Sequence, residues 1–123
     1  MKAFLRLLMS VLFVTAPLAS PSGAQTPVVV SDAQAAEHVG QNVTVEGVVT
    51  AVSTSRKGNA FISFGGVYPN QTFTGWIPVG TPLAADASIP TLQGKKIKMT
   101  GRIELYRGKP EIKVFLKSQI TEE

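Results

Sequence analysis

Two long strand-like segments, each with a glycine near its middle, constrain the fold of this chain most. In residues 41–52, Val43 and Val45 alternate with polar neighbours, and Gly47 interrupts the run. Residues 95–106 form a second long segment around Gly101. A glycine inside a long strand is typical of a bulge or a sharp bend. We therefore expect both strands to turn a corner of a small closed sheet.

Three shorter strands are predicted around these two. Residues 60–64 end at a Gly-Gly turn, residues 72–79 are rich in aromatic and β-branched side chains, and residues 110–116 follow a tight loop at 107–109. A short helix is predicted at residues 32–39, where Ser31 and Gln34 have the spacing of a capping box.

The order of these elements predicts an all-β fold. One short N-terminal helix precedes three strands, then comes a short, partly helical link at residues 81–93, and two strands complete the domain. Five antiparallel strands in this order match the small Greek-key barrel of the OB-fold, in which a link joins strands three and four. We expect residues 25–123 to form a single domain of this type.

The first 24 residues have the layout of a secretory signal. Lys2 and Arg6 precede a short apolar run, and small side chains lead to a predicted cleavage after Ala24, with cuts after Ala19 or Ser20 as weaker choices. An uncleaved anchor is the alternative, but the run is shorter than the roughly 20 residues that a span needs. The sequence thus predicts a periplasmic or secreted protein with no stable membrane insertion after cleavage.

Cysteine and histidine usage excludes several functions. The chain of 123 residues has no cysteine, which excludes disulfides, zinc-thiolate sites and thiol nucleophiles, and its one histidine is His38. Neither paired carboxylates at telling positions nor a phosphate-binding glycine motif is present. We expect no enzymatic activity, no metal and no cofactor.

The charge of the predicted mature chain is small and unevenly distributed. Residues 25–123 contain 10 Lys plus Arg and 8 Asp plus Glu, a net charge of +2. Eight of the bases and four of the acids fall within residues 91–123. This asymmetry can attract anions, but lysines on solvent-facing strand positions also keep sheet edges soluble. Both interpretations remain open from the sequence.

Several segments resemble the OB-fold domains of exported bacterial proteins, some of which accompany thermonuclease-type domains. Residues 39–49 are similar to their first strand, and residues 61–66 with 68–71 and 73–74 to their second and third strands. Residues 106–112, YRGKPEI, resemble the loop between strands four and five of nucleic-acid-binding members, and residues 118–120 match the usual close of the domain. The resemblance implies the fold more specifically than the ligand, because OB-folds serve many functions.

The fold that this resemblance implies also indicates where a ligand would bind. OB domains bind across strands two and three, between the loops that follow strands one and four. Single-stranded nucleic acid needs cations for its phosphates and aromatic rings for its bases. The candidates of these two kinds in those segments are Arg56, Lys57, Phe61, Trp76, Tyr106, Arg107 and Lys109.

Strand alternation indicates which rings face the groove. If Ile62 and Phe64 fill the core, then Phe61 faces outward, and the same argument from Phe73 and Ile77 turns Trp76 outward. The alternative is that Phe61 and Trp76 themselves build the core, since a domain of this size needs its large apolar side chains there.

Two functions from different classes follow. The first is weak binding of single-stranded DNA or RNA without sequence preference, which the loop residues favour. The second is a periplasmic module that binds a protein, a peptide or a small ligand and has no nucleic-acid role, which export and the low mature charge favour. We take nucleic-acid binding as the leading hypothesis.

Overall fold

The structure is a computed structural model that describes residues 27–123. The predicted signal segment, residues 1–24, lies outside the described residues. The described chain is all-β, with four short 3-10 helices between or beside its strands. Its seven strands are β1 (Val29–Ser31), β2 (Asn42–Thr54), β3 (Ala60–Phe64), β4 (Phe73–Ile77), β5 (Lys96–Tyr106), β6 (Lys109–Lys113) and β7 (Ile120–Glu122).

Five of the strands pair in a closed ring. The order is β2-β3-β4-β6-β5, and β5 pairs with β2 to close it. β1 lies beside β2 and β7 beside β5. The long strand β2 reaches both neighbours because its first half pairs with β5 and its second half pairs with β3. A shift of register between Val49 and Ala51 marks the change of partner.

The prediction of a uniformly antiparallel sheet is wrong at one place in the ring. β4 and β6 are parallel neighbours, with Gly75 opposite Ile112. A closed ring with an odd number of strands cannot alternate in direction all the way round, so at least one neighbouring pair must be parallel. Here that pair consists of β4, which precedes the link, and β6, which is the second strand of the β5–β6 hairpin. The short pair of β1 and β2 outside the ring is parallel too.

The inside of the ring holds the apolar core. Ile62 and Phe64 on β3 and Phe73 and Ile77 on β4 are fully buried. The rings of Phe64 and Phe73 are tilted by 58° with centroids 5.3 Å apart, a favourable aromatic geometry. The alternation within β3 and β4 therefore directs these side chains inward, which is one of the two alternatives that the sequence leaves open.

The glycines in the long strands allow close contacts. A Cβ on Gly47 would lie 2.6 Å from Asp32 Oδ1 and 3.1 Å from the Phe64 ring, so this glycine admits the N-terminal helix against the sheet. A Cβ on Gly101 would lie 2.5 Å from Ile112 Cγ2. The bulge expected at Gly47 is displaced to the Val49/Ala51 register shift.

The helical segments are shorter and tighter than predicted. The N-terminal one is a 3-10 helix, Asp32–His38, and the Ser31 N–H donates to Gln34 Oε1 at 3.3 Å as the capping pattern predicts. The link contains two 3-10 turns, Pro82–Ala85 and Pro90–Leu92. Segments this short make too few α-helical hydrogen bonds to offset the cost of forming the first α-helical turn, and short segments commonly adopt the tighter 3-10 form. Within residues 27–123, no helix has the length and apolarity needed to cross a membrane.

Candidate ligand-binding groove

A groove of about 690 Å³ lies on the outer face of the ring. Its floor is formed by side chains of β3, β4 and β6, and its ends by the last residues of β2 and the β5–β6 hairpin. The pairing register fixes which side chains lie beside each other. Two rows of outward-facing residues cross the floor from strand to strand.

The first row carries the aromatic surface. Ser53 on β2 is opposite Phe61 on β3, Phe61 is opposite Trp76 on β4, and Trp76 is opposite Lys113 on β6. Phe61 and Trp76 are half-buried, with one side exposed to the groove. The Lys113 Nζ lies 5.3 Å from the centroid of the Trp76 ring, within the range of a cation–π contact.

The second row is polar. Ser63 on β3 is opposite Thr74 on β4, Thr74 is opposite Glu111 on β6, and Glu111 is opposite Glu104 on β5. Ser63 and Thr74 are buried at the floor. Every one of these side chains carries an oxygen, so this row can hydrogen-bond the edge of a ligand whose face rests on the aromatic row.

The two rows together carry one cation, Lys113, and two carboxylates, Glu104 and Glu111. Lys113 Nζ lies 3.7 Å from Glu104 Oε1. Burial raises the pKa of Glu111, the Lys113 charge lowers this pKa in part, and the nearby Glu104 charge raises it. The floor is thus electrostatically mixed and contains no cluster of free cations.

The β5–β6 hairpin forms one lip of the groove. Tyr106 pairs with Lys109 at its base, and the turn consists of Arg107 and Gly108. Arg107 has a φ of 52° and Gly108 one of 79°, as a two-residue type I′ turn requires. The Arg107 guanidinium carbon lies 5.3 Å from the Tyr106 ring centroid, and Arg107 Nη1 donates to the hydroxyl of Tyr68 at 3.5 Å.

Gln71 forms a polar corner beside this lip. Its Nε2 donates to Thr74 Oγ1 at 3.2 Å, and Lys109 Nζ donates to its main-chain oxygen at 3.1 Å. Gln71 is 7% exposed and lines the groove. Among residues 27–123, its Oε1 is the one buried side-chain nitrogen or oxygen that has no hydrogen-bond partner.

Four of the seven predicted site residues meet in the groove. Phe61, Trp76, Tyr106 and Lys109 all line it. The other three predicted residues, Arg56, Lys57 and Arg107, are exposed but do not line it. Arg56 and Lys57 lie in the turn between β2 and β3, and Arg107 lies at the tip of the β5–β6 hairpin. The structure thus brings the aromatic candidates together and leaves these cations outside the floor.

Several groove residues lie outside the set of candidates that the sequence indicates, and four of them carry a charge or an amide that the site uses. Gln71, Glu104, Glu111 and Lys113 line the groove. Strand alternation indicates the outward direction of the two glutamates. Ile103 and Ile112 are buried inside the ring, so the adjacent side chains, Glu104 and Glu111, must point outward. Gln71 gives no such signal, since it precedes β4 in an irregular segment.

The groove has the chemistry of a binding site for a planar polar ligand. The rings of Phe61 and Trp76 offer apolar faces, and the polar row with Gln71 offers hydrogen-bond partners along one edge. Within residues 27–123, no group of three or more histidine, aspartate or glutamate side chains is arranged to hold a metal ion.

Comparison with known proteins supports the fold and leaves the ligand open. No protein-family model matches the chain, and no curated protein is similar to it. Among solved structures, a chain in the complex of OBody AM1L10 bound to hen egg-white lysozyme is similar over 86% of this chain and 98% of its own, with a TM-score of 0.53 and 16% identity. A chain described as an aspartyl-tRNA synthetase from Leishmania major Friedlin is similar over 87% of this chain, with a TM-score of 0.51 and 12% identity. This chain spans 22% of that synthetase.

Proposed function

We propose that this protein is an OB-fold module that binds single-stranded nucleic acid in the groove on the outer face of its ring. The fold assignment is supported by the ring order, in which the first three ring strands are followed by the fifth and then the fourth, which closes on the first. The site assignment is supported by the position of the groove on the second and third ring strands, because OB-folds bind oligonucleotides on that face.

The observation that carries the proposal is the side-by-side position of Phe61 and Trp76. They are register partners on β3 and β4, and both line the groove with Tyr106 at its lip. Aromatic platforms of this kind bind successive bases by stacking, at about 1–3 kcal/mol per base. Stacking requires only the flat face of a base, so it gives binding with little dependence on sequence.

The two carboxylates of the groove determine the orientation of a bound nucleic-acid strand. Glu104 and Glu111 on the floor would repel phosphates, so the bases must face the floor and the backbone must follow the rim. Cations suited to the backbone are present there. Arg56, Lys57 and Arg107 are exposed, and none of them takes part in an ion pair within the described part of the chain.

A titration with a short single-stranded oligonucleotide tests this proposal. We expect saturable anisotropy of a labelled 8-mer together with quenching of Trp76, the only tryptophan. About three rim contacts predict that log K falls against log salt with a slope of roughly 2, since each phosphate contact of a single strand contributes about 0.7. Absence of binding at low salt would exclude the proposal.

A second candidate function is favoured by the mixed charge of the floor. A peptide or a protein loop presents both donors and apolar side chains, and the balance of Glu104 and Glu111 against Lys109 and Lys113 suits such a ligand without any phosphate. The similar OBody chain comes from a complex with a protein. If oligonucleotides fail to bind, affinity capture from a periplasmic extract, compared with a Trp76→Ala bait, is the measurement that identifies this kind of partner.

We also propose that the protein is exported and acts by binding, without catalytic turnover. The support for export is the pattern of the first 24 residues, which precede the described structure. Expression of the full chain followed by N-terminal sequencing of the accumulated protein tests this. Cleavage after Ala24 and recovery from the periplasm or the medium are the expected results, and an intact N-terminus in the cytoplasm would contradict them.

A further inference from the structure

The unpaired oxygen of Gln71 is the feature of the groove that the stacking of bases does not use. A buried amide oxygen without a donor destabilises a folded protein, and such groups are rare in native structures. Gln71 Oε1 is in this state although its residue lines an open groove. A small rotation of the side chain toward the groove would bring this oxygen to an N–H group of a bound ligand.

Two hydrogen bonds hold Gln71 in place. Its Nε2 donates to Thr74 Oγ1, and Lys109 Nζ donates to its main-chain oxygen. In this orientation Nε2 is engaged by Thr74, and the oxygen is the free group of the amide. The group that Gln71 offers to an incoming ligand is therefore an acceptor.

The polar row supplies a second acceptor next to this one. Thr74, the hydrogen-bond partner of Gln71, is also the register partner of Glu111 on β6. An ionised carboxylate accepts hydrogen bonds and donates none. A ligand edge that reaches this part of the groove thus meets an amide oxygen and a carboxylate, and it must offer N–H donors to both.

We propose that Gln71 and Glu111 form a subsite for the exocyclic amino group of a nucleobase, so that the groove prefers cytosine and adenine to uracil and thymine. This inference rests on the proposed nucleic-acid function. An amino group has two N–H donors, which matches two acceptors, and carboxylates recognise the cytosine amino group in other nucleic-acid complexes. Uracil carries a carbonyl oxygen at the same ring position, which would face the two acceptors without a proton between them.

Two oligonucleotides of the same length and backbone test the subsite. We compare (dC)8 with (dU)8 at pH 7.5 by fluorescence anisotropy. Stacking area and phosphate number are matched, so the ratio of the two dissociation constants reports the base edge. We expect (dC)8 to bind about fivefold more tightly, the factor that one hydrogen bond of ordinary net strength gives. A ratio of one, or a preference for (dU)8, would overturn the inference.

Variants assign the preference to the two residues. Gln71→Met keeps the side-chain volume and removes the acceptor, and we expect the ratio of the two dissociation constants to fall to near one. Glu111→Gln, at a half-exposed site that tolerates the change, should also lower the ratio. An unchanged ratio in both folded variants would contradict the assignment. Lys117→Gln, outside the groove, is the matched surface control and should retain the wild-type ratio.

A measurement on the wild-type protein covers the case in which Gln71→Met does not fold. The side-chain amide resonances of Gln71 in a ¹⁵N-labelled sample should shift on addition of (dC)8 and much less on addition of (dU)8. Equal shifts with both would overturn the inference. Failure of both oligonucleotides to bind would instead exclude the proposed function itself, so the two failures are distinguishable.

Discussion

Trp76 lies between Phe61 and Lys113 in the row of side chains that crosses the groove floor. On one side its register partner is Phe61, and on the other the Lys113 Nζ lies 5.3 Å from its ring centroid. Lys113 is itself within 3.7 Å of Glu104. These neighbours place the indole at the groove floor, where Trp76 is among the lining residues.

Loss of an aromatic ring from the floor should weaken oligonucleotide binding without unfolding the protein. For Phe61→Leu we expect about 1–3 kcal/mol less binding free energy, the contribution of one stacked base. The midpoint of thermal unfolding should move little, because Phe61 is half-exposed. Fluorescence anisotropy with a labelled 8-mer measures the first effect and circular dichroism the second.

Phe115→Leu is the matched control for this change. Phe115 is 50% exposed and does not line the groove. We expect its affinity for the 8-mer to equal that of the wild type. Equal losses in Phe61→Leu and Phe115→Leu would contradict the position proposed for the site.

The left-handed conformation of Arg107 links binding to stability. Its φ of 52° is unfavourable for an arginine, whereas asparagine adopts this region readily in type I′ turns. Arg107→Asn should therefore raise the free energy of unfolding by about 0.5–1 kcal/mol. The same change removes a rim cation, so affinity should fall and the salt slope should decrease by about 0.7.

Denaturant unfolding and salt-dependent anisotropy measure the two halves of this prediction. Lys117→Asn is a control that removes a cation outside the groove. It should change neither the salt slope nor the turn. If Arg107→Asn gained stability and kept its full affinity for the oligonucleotide, the result would contradict binding of the nucleic-acid backbone at this rim.

The burial of Glu111 predicts a dependence of stability on pH. Its pKa is raised above the usual value of 4.5, mainly by burial. The folded protein therefore binds this proton more readily than the unfolded chain. As the pH rises from 4.5 to the folded pKa, Glu111 lowers the free energy of unfolding, and above the folded pKa this loss of stability is complete. Glu111→Gln removes the effect.

We therefore expect Glu111→Gln to melt at a higher temperature than the wild type at pH 7, with a difference that disappears below pH 4.5. Lys113→Gln should have the opposite effect at pH 7, because the Lys113 charge favours the ionised form of Glu111. Thermal melts of the three proteins at several pH values measure this. A constant difference across the pH range would show that the carboxyl group is not responsible.

The sequence predicted the parts of the site that depend on local alternation. Alternation leaves two alternatives for Phe61 and Trp76, and the burial of Ile62 and Phe73 selects the outward direction for both. A closed ring of five strands also requires at least one parallel pair, but the alternation within single strands does not indicate that β4 and β6 form it.

Other features had no local signal. The strands β1 and β7 have three residues each and form only because a neighbouring strand offers free backbone groups. The role of Gln71 depends on contacts with Thr74 and with Lys109, which is 38 residues away in the sequence. Such contacts exist only after the ring has closed, so neither composition nor spacing could indicate them.

The contact between Gly101 and Ile112 gives a prediction about the closure of the ring. A Cβ on Gly101 would lie 2.5 Å from Ile112 Cγ2, a branched carbon that cannot move away by a simple rotation, and Ile112 is fully buried. Gly101→Ala should therefore lower the free energy of unfolding by about 1–3 kcal/mol. Denaturant unfolding measures this loss, and the m-value should stay constant.

A double-mutant cycle tests the cause of that loss. Ile112→Ala removes the clashing carbon and by itself costs about 2–5 kcal/mol. Because the clash is then absent, adding Gly101→Ala to Ile112→Ala should cost much less than adding it to the wild type, which gives a coupling of about 1 kcal/mol or more. Strictly additive losses would mean that Gly101 is needed for its backbone conformation and not for the close approach of β6 to β5.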